Sequence, residues 1–113
     1  FMTEKVLGKI ESVYFGLAGY QASQIGIQMV LAGKGWVTVY FKGYWDPSKI
    51  KHSSDCKWTE EERDASFSDT VRYVSDLLNT AKVASVDQLA GIPVECEFED
   101  NSLKTFRILE EVL

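Results

Sequence analysis

The chain of 113 residues is poor in the residue types on which common active sites depend, with 1 histidine, 2 cysteines and 2 prolines. A single histidine leaves little material for a nucleophile activated by an imidazole base, although carboxylates are plentiful. Cys56 and Cys96 lack the dense spacing of a disulfide framework. His52 and Cys56 stand at helical spacing, but a closed zinc site needs four ligands. The sequence therefore predicts no metal site and no cofactor, and it disfavours catalysis.

Long apolar runs and basic clusters are also missing. No segment approaches the ~20 apolar residues of a membrane span, and no basic start precedes an apolar region at the N-terminus. We therefore expect a cytoplasmic protein without membrane contacts, and we expect Phe1, which precedes Met2, to be a cloning remnant. The net charge of −5 argues against nucleic-acid binding, which needs a concentrated basic surface. The acidity reflects either ordinary solubility or mimicry of a nucleic acid.

The N-terminal half is patterned as strands. Segments 6–14, 25–31 and 36–45 carry β-branched and apolar residues with partial alternation, which predicts a hairpin or a three-stranded meander. In the third segment both alternating sets contain apolar residues. This strand is therefore either covered on both faces or in contact with another subunit.

A long helix is predicted from Thr59 to about Lys82. Thr59 and Glu62 form a capping box, and the acids after Thr59 suit the positive end of the helix dipole. An apolar stripe follows at three- and four-residue steps and is expected to pack on the sheet: Phe67, Val71, Val74, Leu77, Leu78 and Ala81. A second, shorter helix is predicted after Ser85, capped by Ser85 and Gln88 and closed by Gly91.

The C-terminal segment reads as two further strands. Val94, Cys96 and Phe98 alternate with glutamates, and "EDNS" supplies a turn before a last strand over 103–113. The prediction is thus a single α+β domain over residues 1–113, with an antiparallel sheet packed by one long and one short helix.

The stretch "FGLAGYQ" places Gly16, Gly19 and Tyr20 directly after a strand-like run, and Gly26 follows. A glycine inside a strand pattern indicates a bend or a place where a ligand or another backbone comes close. The stretch is therefore either a hairpin corner or part of a binding site.

Two places in the sequence favour an anion. Arg107 stands between Phe106 and Ile108 in mid-strand, so its guanidinium needs an anionic partner. That partner is either a cross-strand acid, Glu95 or Glu97, or the phosphate or carboxylate of a ligand. The N-terminus of the long helix is the second place, with Lys57 before the cap and Arg63 one turn into the helix.

Five stretches carry a resemblance to a known family: "FGLAGYQ", "WTEEER", "LLNTAKV", "GIPVECEFEDNSLK" and "FRILEEVL". Together they resemble the first Thoeris anti-defence family of phage proteins, which bind and sequester the cyclic ADP-ribose signal made by bacterial TIR-domain immune proteins. The resemblance implies binding of a cyclic nucleotide without turnover in the cytoplasm of the host bacterium. It also implies a homodimer with a pocket at each end of its interface, or a higher homo-oligomer.

The resemblance also implies roles for particular residues. Arg107 would bind phosphate, and Lys57 occupies the basic position before the helix. Gly91 stands where relatives carry a polar residue near the adenine, so the chain departs from the family there. Gly16 and Gly19 would let backbone approach the ligand, with Tyr20 as a wall.

Two other function classes remain open from the residues alone. The first is an acidic protein that inhibits a host nucleic-acid-binding or defence protein through the row of Glu95, Glu97 and Glu99. The second is a small enzyme, which the scarcity of histidine and of a recognisable nucleophile disfavours.

Overall fold

The computed structural model describes residues 2–46 and 59–113. Within them, five strands form one antiparallel sheet in the order β3-β2-β1-β4-β5, beside one long helix, α1. The elements are β1 (Thr3–Ala18), β2 (Gln24–Gly33), β3 (Trp36–Trp45), α1 (Glu60–Ala81), β4 (Pro93–Glu99) and β5 (Ser102–Ile108). The predicted α+β class and the antiparallel sheet are confirmed.

The sheet is built around β1, which has 16 residues and pairs with two strands. Its first part pairs with β4, from Thr3 opposite Glu99 to Lys9 opposite Pro93. Its other edge pairs with β2, from Gly8 opposite Gly33 to Ala18 opposite Gln24, so Gly8 and Lys9 pair on both sides. The register of the second pairing shifts between Ile10 and Ser12, just where the pairing with β4 ends. A bulge bends a strand and increases its twist, so it favours curling of the sheet at this point.

Aromatic contacts show how far the sheet curls. The Trp36 ring on β3 lies 5.4 Å from that of Phe98 on β4, and the Tyr40 ring lies 5.2 Å from that of Phe106 on β5. Since β3 and β5 are opposite edges of the sheet, these contacts require its two halves to face each other. The Tyr73 ring of α1 lies 5.8 Å from that of Tyr40, so the helix packs on the same inner face.

The core lies between this inner face and the helix. Its fully buried side chains come mainly from the strands: Ile10, Ile27, Met29, Leu31, Val94 and Cys96, with Leu89 from the turn after α1. Burial raises the pKa of the Cys96 thiol to about 11. The thiol therefore stays protonated at neutral pH and packs as a small apolar group.

The long helix begins and ends as predicted. The Thr59 hydroxyl oxygen accepts a hydrogen bond from the Glu62 amide at 3.1 Å. At the other end Lys82 adopts φ +61°, and the next amide, Val83, donates to the Leu78 carbonyl at 3.1 Å.

The expectation that the whole apolar stripe of this helix packs in the core was wrong for the first two residues of the stripe. Phe67 and Val71 are 45% and 51% exposed, because the helix buries a face centred on Thr70, Leu77 and Ala81.

Two C-terminal predictions need correction. The second helix is only a 3₁₀ turn of 4 residues, Val86–Leu89, because Ser85 bonds the Asp87 side chain and gives the turn no side-chain cap. Gly91, with φ +92°, then redirects the chain into β4. The last strand ends at Ile108 and not at 113, since Glu110–Val112 forms another 3₁₀ turn.

Replacing Thr59 with Ala should lower the free energy of unfolding by ~1 kcal/mol, because the Glu62 amide loses its acceptor. Urea denaturation followed by circular dichroism measures the change. Ser68→Ala removes a hydroxyl from an exposed interior position of the same helix and should leave the midpoint unchanged or slightly raised. An unchanged midpoint for Thr59→Ala would contradict the role of this cap.

Candidate functional site

A cleft of about 250 Å³ lies between α1 and the end of the chain. The helix contributes Tyr73, Asp76, Leu77 and Thr80 to its walls, and the C-terminal segment contributes Phe106, Arg107, Ile108 and Glu110. The residues that line the cleft thus include an arginine, two acids, two hydroxyl-bearing residues and two aromatic residues. We take it as the candidate site, because it includes the arginine that the sequence singled out.

Arg107 is held by two carboxylates. Its Nε donates to Glu95 on the neighbouring strand at 3.1 Å. Its Nη1 and Nη2 donate to the two oxygens of Glu111 at 3.1 and 3.0 Å, the parallel geometry in which guanidinium groups also bind phosphate. Of the acids considered from the sequence, the partner is therefore Glu95 and not Glu97. Glu111 was missed because the last strand was expected to continue through it, which would have placed Glu111 ~13 Å further along the strand from Arg107.

The contacts shift the ionisation of both partners. Hydrogen bonds to Glu111 and then to Glu95 raise the pKa of Arg107, and the hydrogen bond from Arg107 lowers the pKa of Glu111. The Arg107 side chain is 53% exposed and that of Glu111 is similar, so water and salt screen the pair. The pair is therefore open to exchange with a dissolved anion.

Tyr73 supplies a neutral hydroxyl group to the wall of the cleft. Burial, followed by the proximity of Tyr40 and a hydrogen bond with it, raises the pKa of the Tyr73 phenol. The group therefore stays protonated over the physiological range, when a phenol can both donate and accept a hydrogen bond.

Gly91 lies at the same end of the sheet as Arg107. Its amide donates to the Ile10 carbonyl at 2.7 Å. Two residues later, the Pro93 carbonyl accepts a hydrogen bond at 3.0 Å from Leu109, two residues beyond Arg107. No heavy atom lies within 4 Å of a Cβ built at Gly91, so this turn is open to solvent.

Gly16, Gly19 and Tyr20 lie at or just beyond the end of β1 that is remote from Arg107. Across the sheet, Arg107 pairs with Glu95, which pairs with Leu7 of β1. Gly16 is nine residues further along β1, a span of roughly 30 Å at ~3.3 Å per residue. Gly19, with φ +72°, begins the turn at Tyr20–Ala22 that joins β1 to β2. Gly19 is thus a hairpin corner, and one chain does not bring these residues to the Arg107 cleft.

The close approach expected at Gly16 is made by the chain's own rings. Gly16 pairs with Gly26 and Gly26 with Gly43, so three glycines form a row across β1, β2 and β3. A Cβ at Gly16 would lie 2.7 Å from the Tyr14 hydroxyl oxygen, and one at Gly43 would lie 2.5 Å from the Phe41 ring. Tyr14 and Phe41 therefore fold over the glycine row and occupy the space that missing side chains leave.

The sequence also predicted an anion site at the start of the helix, formed by Lys57 and Arg63. Arg63 lies in the first turn of α1, pairs with Glu60 at 3.0 Å and Asp64 at 3.3 Å, and shares a cleft of about 220 Å³ with Trp45. Lys57 lies outside the described residues, as do His52 and Cys56. Arg63, the second anion candidate from the sequence, is thus already paired with two carboxylates, and it lies roughly 15 Å or more along α1 from the helix residues that line the Arg107 cleft.

The acidic row on β4 is partly neutralised, because Lys104 is shared between Glu97 and Glu99, and Arg107 between Glu95 and Glu111. Glu95 pairs with Arg107, while Glu97 and Glu99 lie 3.7 and 3.5 Å from the Lys104 ammonium. An acidic surface that mimics nucleic acid needs unpaired charge, so this arrangement weakens the case for an inhibitor acting through these glutamates.

Comparisons of the chain with protein-family models, with curated proteins and with solved structures give no match. In the part of the chain that the structure describes, no helix is long and apolar enough to cross a membrane. Within residues 2–46 and 59–113, no cluster of histidine, cysteine and carboxylate side chains could hold a metal ion.

Pairing with Arg107 lowers the folded-state pKa of Glu111. Its contribution to stability should therefore be present at neutral pH and be lost as the pH falls through that pKa. A carboxyl-carbon NMR titration should give a Glu111 midpoint that rises towards the ordinary value in Arg107→Ala. Equal midpoints in the parent and the variant would mean that the pair does not persist in solution.

Proposed function

We propose that this chain is a phage anti-defence protein that binds and sequesters cyclic ADP-ribose-type nucleotides made by bacterial TIR-domain immune proteins, without cleaving them. Its place of action would be the cytoplasm of the host bacterium. The observation that carries the proposal is the cleft between α1 and β5, where Arg107, Asp76 and two aromatic rings lie together. These are the side-chain types that recognise phosphate, ribose hydroxyls and a base. The motif resemblance supplies the identity of the nucleotide.

Phosphate binding at Arg107 would exchange the Glu111 carboxylate for a phosphate of the ligand. The guanidinium already donates two parallel hydrogen bonds to Glu111, so a ligand phosphate would take the place of this carboxylate while Glu95 keeps its contact at Nε. Glu111 lies on a 3₁₀ turn that has no buried residue, so its side chain can leave Arg107 without disturbing the core. The net gain is smaller than that of a new ion pair, because one charged contact replaces another.

The cleft in one chain is small for the proposed ligand, which favours a site completed by a second chain. Pockets that enclose a small ligand typically have volumes of ~300–1,000 Å³, and this cleft measures about 250 Å³. A ligand of the size of cyclic ADP-ribose would therefore be enclosed on one side only by a single chain. A homodimer or higher homo-oligomer, as the resemblance implies, would complete the enclosure from a second chain.

Sequestration without turnover fits the chemistry of the described residues. Cys96 is fully buried and its pKa is raised, so it offers no thiolate for nucleophilic attack. Asp76 and Glu110 of the cleft have no histidine beside them among the residues that line it. The arrangement favours a binding protein over an enzyme.

Replacing Arg107 with Ala should weaken the binding of a cyclic ADP-ribose isomer by roughly thirtyfold or more, the effect of losing a charge-assisted contact. Isothermal titration calorimetry measures the affinity, and thermal denaturation checks that the variant is folded. Arg63→Ala removes a guanidinium at the start of α1 and should bind as the parent does. Binding lost in Arg63→Ala and kept in Arg107→Ala would move the site to the helix start, and a parent that binds no isomer would refute the proposal.

Replacing Glu111 with Gln should tighten the same binding severalfold, because the ligand phosphate no longer competes with a carboxylate for Arg107. Glu61→Gln makes the same change in net charge on the exposed first turn of α1 and serves as the matched control. If Glu111→Gln binds no better than Glu61→Gln in calorimetry, then the ligand does not displace Glu111.

A further inference from the structure

The two edges of the sheet differ in how they are protected. On one edge, β5 carries the paired charges of Lys104 and Arg107, and its last residues line the cleft beside α1. On the other edge, residues 37–41 of β3 include no charge and no proline, and their register with β2 does not shift. Val37 and Val39 there are 66% and 54% exposed. Sheets normally protect an edge with charges, proline, a bulge or a covering segment. We call residues 37–41 the open edge.

The backbone groups of the open edge point away from β2 at every second residue. The Asp46 amide donates to the Ser23 carbonyl at 2.9 Å, at the end of the unbroken register between β3 and β2. Residues that exchange hydrogen bonds alternate along an antiparallel pair with residues that do not. The even-numbered residues of β3 therefore bond β2, and Val37, Val39 and Phe41 turn their N–H and C=O groups the other way. In the part of the chain that the structure describes, β3 pairs with β2 alone, so these groups are left for another molecule.

We propose that the open edge binds a basic, extended peptide segment of another protein, which adds to the sheet as a sixth strand. Donors and acceptors that repeat at every second residue, a spacing of ~6.6 Å, match the backbone of a second extended strand. The peptide would run antiparallel to β3, because this pairing is the more stable one.

The face on which Val37 and Val39 lie decides which peptide side chains meet them. Leu31 of β2 is fully buried on the inner face and stands opposite Thr38. Val37 and Val39 therefore point to the outer face, turned away from α1. Directly opposite residues of an antiparallel pair share a face. The peptide residues that bond Val37 and Val39 thus place their side chains beside these two valines, where β-branched apolar side chains pack well.

The acids at one end of β3 favour a basic peptide. Trp45, the last residue of β3, shares a cleft of about 220 Å³ with Glu62 in the first turn of α1. Of the three acids in this turn, Glu60 pairs with Arg63, whereas Glu61 and Glu62 form no ion pair within the described residues. An antiparallel peptide would bring its N-terminal end towards Trp45. Basic residues at that end would therefore meet these carboxylates.

A second copy of the chain fits the open edge less well than a basic peptide does. Its own β3 carries one charged residue, Lys42, which stands opposite the buried Ile27 and therefore points to the inner face. Pairing of two β3 strands would thus bring no cation from the outer face to Glu61 and Glu62. The net charge of −5 also favours a basic partner.

The open edge is separate from the proposed nucleotide site. Val37, Val39 and Phe41 do not line the cleft beside α1, and Arg107 lies on the opposite edge strand. Peptide binding is therefore measured without nucleotide, and neither proposal depends on the other.

A labelled peptide of two N-terminal lysines followed by alternating valine and threonine tests the proposal by fluorescence anisotropy. Methylation of the valine nitrogens removes the hydrogens that would bond β3, and should weaken binding about tenfold or more, the effect of losing several backbone hydrogen bonds. Methylation of the threonine nitrogens removes N–H groups that face solvent, and should change the affinity by less than about threefold. Equal losses from the two methylated forms, or no binding of the unmethylated peptide, would overturn the proposal.

Replacing Val39 with Pro tests the same contact from the side of the protein. Proline removes one N–H group of the open edge and none of the bonds to β2, so the variant should fold and bind the peptide about tenfold or more weakly. Val39→Thr keeps the N–H group and should bind as the parent does. Thermal denaturation shows whether Val39→Pro is folded, and the methylated peptides decide the matter on the parent chain if it is not. Unchanged binding by folded Val39→Pro would contradict the assignment.

Two charge variants test the preference for a basic peptide. Glu61→Lys reverses a charge near the end of β3 and should weaken binding severalfold, whereas Glu4→Lys makes the same change at the start of β1 and should not. Equal effects of the two variants would refute this preference. Sedimentation equilibrium of the parent and of Val39→Pro covers the remaining occupant: self-association that Val39→Pro abolishes would give the open edge to a second copy and overturn the proposal.

Discussion

The pairing of β1 with two different strands is the constraint on which the rest of the structure depends. Its first part bonds β4 and the part from Gly8 onward bonds β2, with a register shift after Ile10, just beyond the end of the first pairing. The two hairpins are thereby attached to opposite ends of one strand and turned towards each other. The contact of Tyr40 with Phe106 joins their inner faces, and α1 closes over them. The cleft beside Arg107 exists because the helix meets the second hairpin at its edge.

Local features of the fold were predictable because short stretches of sequence encode them. The Thr59 cap, the alternation in β3 and β4, and the end of α1 near Lys82 all depend on neighbours a few residues apart. The predictions that were wrong concern contacts between segments distant in the sequence, which local patterns do not determine. Phe67 and Val71 belong to the helical stripe and lie beside Tyr44 and Phe15 of the sheet, but they stay half-exposed because the helix turns Thr70, Leu77 and Ala81 towards the core. The segment after Ser85 is too short, and its cap too incomplete, to form an α-helix.

In the candidate site, too, some features were predictable from the sequence and others were not. The need of Arg107 for an anion was visible from its apolar neighbours in sequence, which left Glu95 and Glu97 as possible partners, and the register of β4 with β5 decides for Glu95. Glu111 was not predictable, because it depends on the chain leaving the sheet at Ile108 and turning back towards Arg107. Gly16 and Gly19 were grouped with Arg107 through the motif resemblance, and the length of β1 separates them. In the described fold, Gly16 makes room for the Tyr14 ring and Gly19 makes the turn.

The central claim is that the chain holds a cyclic ADP-ribose-type nucleotide intact. The most direct measurement is to purify the protein from cells that contain an active TIR-domain enzyme, denature it by heat and analyse the supernatant by mass spectrometry. The account predicts release of an intact cyclic nucleotide in an amount that approaches one per site, and a much smaller amount from the Arg107→Ala variant. A supernatant that contains no nucleotide, or only its hydrolysis product, would contradict it.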